Sequence, residues 1–96
     1  MNKYEIMFIV KPDMEEKDIK AEAENMKKVL TDKKAKVIEE KAMGQRELAY
    51  EIRKYNTGYY YLFVVEASKE AEQEFSRVAR INENLLRHLI VKVEED

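Results

Sequence analysis

The chain contains no cysteine, which removes disulfides, thiolate nucleophiles and zinc–thiolate sites from consideration. Glycine occurs only at Gly44 and Gly58, so no glycine-rich loop is available to wrap a phosphate in the P-loop manner. His88 is the sole histidine. It falls inside a strand-like segment, where it reads as a packing or hydrogen-bonding residue, and no His/Asp/Glu group has metal-ligand spacing. Ser68 and Ser76 have no recognisable base beside them to make a nucleophile. No apolar run approaches the roughly 18 residues of a membrane span, and the chain does not open on a secretory signal pattern, which makes the cytoplasm the expected compartment. Positive charge is not in excess either. The formal net charge of -2 is unusual for a stand-alone nucleic-acid binder.

What remains is a 96-residue chain with 40% charged residues of both signs, the profile of one well-hydrated domain with a modest core. Tyr4 to Val10 is an apolar, β-forming run ended by Lys11-Pro12, which suits a central strand. Asp13 is the predicted N-cap of a first helix, with Glu16 completing a capping-box-like pair. Ile19, Ala23, Met26 and Leu30 then recur on one helical stripe, and the helix should stop near Thr31 to Lys34. Ala35 to Met43 is a weaker, charge-rich strand of the kind found at sheet edges. Gly44-Gln45 reads as a turn. Leu48, Tyr50 and Ile52 alternate with charged residues as a half-buried strand segment, and Asn56-Thr57-Gly58 supplies turn chemistry. Tyr59 to Glu66 is a second central strand. Ser68 is placed to cap a second helix striped with Ala71, Phe75, Val78 and Ala79. A turn at Asn82–Asn84 leads to a last strand, Leu85 to Val93, and Glu94, Glu95 and Asp96 form an acidic end.

The order βαββαβ predicts an α+β, ferredoxin-like fold: an antiparallel sheet of spatial order 4-1-3-2 with both helices on one face. Alternation then assigns Tyr59, Tyr61, Phe63 and Val65 to the helix side with Ile6 and Phe8. Met7, Ile9, Tyr60, Leu62 and Val64 fall on the opposite, uncovered face. An apolar open face on a small domain marks a contact surface, and Tyr60 and Leu62 are its candidate partner-binding residues.

Binding is better supported than catalysis. Strand tyrosines such as Tyr59, Tyr60 and Tyr61 are used elsewhere to stack RNA bases, although in a central strand they serve more often as core. The cations are stronger candidates for RNA contact: Lys3, Lys54, Arg80, Arg87 and Lys92, with Arg53 and Arg77 nearby in sequence. Neighbouring strands bring Lys3, Arg87 and Lys92, with Arg80 near the entry to the last strand, towards one positive patch despite the acidic total.

Four segments carry a family resemblance: Tyr4-Glu5 with its apolar strand; Gly44-Gln45-Arg46-Glu47-Leu48-Ala49-Tyr50-Glu51-Ile52-Arg53-Lys54; Gly58-Tyr59; and Asn84 through Lys92. Together they resemble the bacterial small-subunit ribosomal protein six family over almost the whole chain. The residues themselves point to no catalysis, metal or cofactor; the resemblance implies a ferredoxin-like fold and a place in the central domain of the small ribosomal subunit. It also implies binding to small-subunit ribosomal RNA as a heterodimer with ribosomal protein eighteen, with RNA contacts mapping loosely onto Lys3, Arg80 and Arg87. A basic partner would answer the charge objection, because phosphate neutralisation is then shared. Two other classes share the fold: a ligand-sensing or self-associating module, and an acylphosphatase-like enzyme. The latter needs an anion cradle after the first strand, where this chain has the acidic loop Lys11–Glu16.

Overall fold

The computed structural model describes residues 1–93; the acidic end expected at Glu94–Asp96 lies outside the described residues. Six elements follow one another: β1 (Asn2–Val10), α1 (Glu16–Asp32), β2 (Lys36–Ile52), β3 (Tyr55–Ala67), α2 (Lys69–Ile81) and β4 (Leu85–Val93). The four strands form one antiparallel sheet in the order β2-β3-β1-β4. The ferredoxin-like topology and the central placing of the two most apolar strands are therefore as the pattern of residues predicts.

Pairing of Ile6 with Phe63 and of Phe8 with Tyr61 turns alternate residues of the two central strands to the same side. There Tyr4, Ile6, Phe8, Val10, Phe63 and Val65 meet the buried stripes of both helices: Ile19, Ala23, Met26 and Leu30 from α1, and Ala71, Phe75 and Ala79 from α2. Phe8 is the hub. Its ring stacks on Tyr61 at 5.3 Å between centroids, meets Phe63 edge-on at 5.2 Å and lies 6.0 Å from Phe75. Such aromatic pairs contribute about 0.5–1.5 kcal/mol each beyond simple burial.

The helix ends follow local chemistry. Ser68 Oγ accepts the Ala71 N–H at 3.1 Å, as its type and position predict. Asp13 does not cap α1. The N-cap is Glu15, without a side-chain cap bond, and the Asp13 carboxylate instead accepts the Tyr55 hydroxyl at 2.6 Å. At the far end of α1, Ala35 N–H bonds to Leu30 O and Lys34 N–H to Thr31 O. This is the Schellman arrangement, with Lys34 at φ 64 in the position glycine normally holds.

The long β2–β3 hairpin departs most from expectation. Gly44-Gln45 is no turn. Gly44, at φ 82, sits in a bulge within β2, between the pairs Ala42↔Tyr61 and Gly44↔Tyr60. Asn56, Thr57 and Gly58 lie inside β3. The chain reverses at Arg53-Lys54, whose positive φ values of 49 and 70 are those a two-residue type I′ hairpin requires. Asn-Gly is the usual sequence there. Arg-Lys is not a turn signal, so residue type alone does not disclose the reversal.

Leu30 is fully buried. Leu30→Ala should destabilise the fold by about 2–5 kcal/mol through reduced burial and a residual cavity. Denaturant unfolding monitors this, and a change below about 0.5 kcal/mol would contradict the assigned core.

Candidate functional site

The register places Met7, Ile9, Tyr60, Leu62 and Val64 on the face away from the helices, as predicted, and adds Leu89 and Val91 from β4 through the pairs Met7↔Leu89 and Glu5↔Val91. Leu89 and Val91 are each 48% exposed, whereas Leu62, Val64 and Tyr60 are half-buried. This face is not uniformly open. Between the pairs Glu47↔Thr57 and Ile52↔Tyr55, the four residues Leu48 to Glu51 face only Asn56. The excess chain swells out of the ladder, and Leu48, Tyr50 and Ile52 gather with Met7, Ile9 and Tyr60 around a pocket of about 130 Å³. Ile9 is consequently buried although it belongs to the uncovered face. Gly58 permits that closeness: a Cβ there would stand 2.4 Å from Ile9 Cγ2.

One end of the sheet collects cations. Lys11, Arg53 and Arg80 line a depression of about 500 Å³ with Tyr55, Ile81, Asn82 and Glu83. Arg53 donates to the carbonyls of Glu83 (2.9 Å) and Leu85 (3.1 Å), tying the hairpin turn to the α2–β4 connection. Lys54 is the adjoining turn residue. The α2–β4 connection is itself fixed by Glu22, whose carboxylate accepts from the side-chain amides of Asn82 and Asn84. Lys11 N–H closes the assembly on Asn84 O at 2.9 Å. Arg87 pairs with Ile9 at this end of β4. Its guanidinium lies 5.8 Å from the centre of the Tyr50 ring and donates to the Tyr50 hydroxyl.

The predicted patch of Lys3, Arg87 and Lys92 does not assemble. Lys3 pairs with Val93, six positions along β4 from Arg87, about 20 Å away at strand rise. Lys92 pairs with core-facing Tyr4 and so points to the helix side, opposite Lys3 and Arg87. Proximity of strands is not proximity of side chains, and alternation separates these three. Arg77 is held by Glu74, with bonds of 2.6 and 3.1 Å. What does come together is Lys11, Arg53 and Arg80, with Lys54 adjoining in the turn, while Arg87 lies on the open sheet face against Tyr50. In the sequence Arg53 is visible as a cation beside a supposed turn. Lys11 carries no distinguishing signal.

Catalytic chemistry is poorly served. Ser76 does have a base in reach, His88 Nε2 at 3.3 Å, which residue spacing does not reveal. Burial, followed by the nearby Arg80 charge, lowers the His88 pKa. The imidazole is half-buried on the helix side of β4, opposite Phe8 and against Ser76 of α2. Tyr59 and Tyr61 pack against the core, leaving Tyr60 as the one member of the tyrosine run on the uncovered face. The more exposed ring is Tyr50, at 59%, which alternation alone marks as half-buried. Among the described residues, no group of His, Cys, Asp or Glu could hold a metal ion, and no helix is long and apolar enough to cross a membrane.

The family model for ribosomal protein S6 matches residues 3–92. The chain belongs to the ribosomal protein S6 family. In the crystal structure of 30S ribosomal protein S6 from Thermotoga maritima the same fold recurs with a TM-score of 0.91 and 29% identity, over 96% of this chain and 87% of that one. This chain is thus a small-subunit ribosomal protein by family and fold. The S6 match spans Lys3, Lys54, Tyr60, Leu62, Arg80, Arg87 and Lys92. Within it, Gly44 to Lys54 runs from the β2 bulge through the swollen segment to the hairpin turn.

The Tyr55–Asp13 bond that closes the basic end is testable by titration. Chiefly through that bond, and secondarily through Lys11, the Asp13 carboxyl is held below its ordinary 3.8. A depressed folded-state pKa means the contact is fully present above the ordinary value and disappears as pH falls through the folded one. NMR titration of the Asp13 carboxyl should therefore give a depressed midpoint that Tyr55→Phe moves upward. An unchanged midpoint would show that the hydroxyl is not the cause.

Proposed function

We propose that this S6-family chain acts as a single non-catalytic domain of the small ribosomal subunit in the cytoplasm. In this reading it binds small-subunit ribosomal RNA jointly with ribosomal protein eighteen of that subunit. The observation that carries the proposal is the presence of two surfaces: a cationic depression lined by Lys11, Arg53 and Arg80 beside the Lys54 turn, and an apolar sheet face centred on Met7, Leu62, Leu89 and Val91, with Arg87 where the two approach. Phosphates fit the first. The second fits the apolar core of a protein–protein contact, with Tyr60 and Leu62 as its anchors. A net charge of -2 limits what the chain can do by itself on RNA, and a basic partner bound to the sheet face would supply the missing positive field. Lys3 and Lys92, at the other end of the sheet, are assigned at most peripheral RNA contacts.

The two surfaces should fail differently under mutation. With saturating partner, Arg80→Ala and Arg87→Ala should each weaken RNA binding. Each should also flatten its salt dependence, by about one in the log–log slope for every phosphate no longer neutralised. Partner binding without RNA should be untouched. Leu62→Ala should weaken partner binding and, through it, RNA binding, while wild-type protein alone binds the RNA weakly. Gel-shift titrations with and without partner measure all of these. Equal RNA affinity in both conditions would overturn joint binding. A stable homodimer through the sheet face, seen by sedimentation, would favour the self-association reading instead.

A further inference from the structure

We propose that Tyr50, backed by Arg87, is a stacking platform for one unpaired RNA base. The inference rests on the RNA-binding reading and gives it a contact at the level of a single base. Tyr50 is carried on the segment that leaves the β2 ladder between Glu47 and Ile52, which lifts the ring off the sheet instead of packing it into the core. It is 59% exposed. Arg87 holds it from one side, both through the guanidinium 5.8 Å from the ring centre and through a hydrogen bond to the hydroxyl. The ring is therefore positioned before any ligand arrives, with a face left for one.

The surroundings decide between an RNA base and a side chain of the partner. Tyr50 precedes the Arg53-Lys54 turn by three positions, and Arg87 lies against it. A base stacked on the ring brings phosphates towards those cations, which is favourable, and aromatic and guanidinium planes are the common supports for splayed bases. A basic protein seated on the same ring would meet like charge. Stacking is also tolerant of base identity, because every base has a π-face. The platform thus supplies affinity for an unpaired nucleotide without reading which one it is.

The test uses the full chain with tyrosine rings isotope-labelled, titrated with an adenylate octamer and, separately, with inorganic polyphosphate of similar charge. The octamer should shift the Tyr50 ring resonances, whereas polyphosphate should move only backbone amides around Arg53, Lys54 and Arg80. Tyr50→Ala, at an exposed position, should lower octamer affinity by about tenfold or more and leave polyphosphate affinity unchanged. Tyr50→Phe, which keeps the ring, should stay within about twofold of the parent. If Tyr50→Ala binds the octamer as the parent does while polyphosphate still binds, the platform is wrong and the RNA reading stands. If neither probe perturbs the cationic end, both fall. Loss of partner binding by Tyr50→Ala with octamer binding intact would assign the ring to the protein interface and overturn the proposal.

Discussion

The antiparallel pairing of β1 with β3, Ile6 against Phe63 and Phe8 against Tyr61, is the constraint on which the molecule's two-sidedness depends. Because strand side chains alternate with a period of two, a slip of one residue would send Phe8 and Phe63 to the uncovered face and bring Met7 and Leu62 under the helices. The ring cluster around Phe8 opposes such a slip, since its packing on Tyr61, Phe63 and Phe75 would come apart at once. The helices can then be amphipathic along a single stripe, and everything on the far side of the sheet is left to face solvent, the swollen segment of β2, or a partner.

Where periodicity carries the information, the residues are legible. The stripes Ile19–Leu30 and Ala71–Ala79, the central position of β1 and β3, and the two faces of β3 all follow from spacings of 3.6 or 2. Local turn chemistry is a poorer guide, because tertiary contacts overrule it. Gly44 uses its positive φ for a bulge and not a reversal. Gly58 is small for the sake of Ile9 and not to make a turn. Arg53 adopts a positive φ that costs about 1–3 kcal/mol in an ordinary residue, and its guanidinium bonds to two carbonyls that only the folded chain brings near. No window of local sequence contains that compensation. Asp13 is drawn away from its capping role in the same manner, by a hydroxyl from Tyr55, 42 positions distant.

The surface cations illustrate a different limit. Strand order follows correctly from the pattern of elements, yet it groups Lys3, Arg87 and Lys92, which side-chain direction and position along the strand keep apart. Conversely, Lys11, Arg53 and Arg80 come from three distant parts of the chain, and their meeting depends on the Glu22–Asn82–Asn84 hydrogen bonds that hold the α2–β4 connection in place. Charge totals averaged over the chain conceal this arrangement. A molecule of net charge -2 still presents a locally positive end, because its carboxylates are spent on α1, on β2 and in ion pairs such as Lys27–Glu40.

The edge position of β4 has a consequence for the life of the chain outside an assembly. Leu89 and Val91 lie on a strand with only one neighbour, and Lys92, which might have interrupted their apolar row, projects to the other side. A free edge of this composition is a template for unwanted strand addition. A surface that seats over the row buries those side chains and, by binding only the native form, draws the folding equilibrium towards it, whereas the backbone edge is blunted only by a strand or loop laid along it. A copy so covered is both shielded on that face and stabilised, while an uncovered copy keeps Leu89 and Val91 in water.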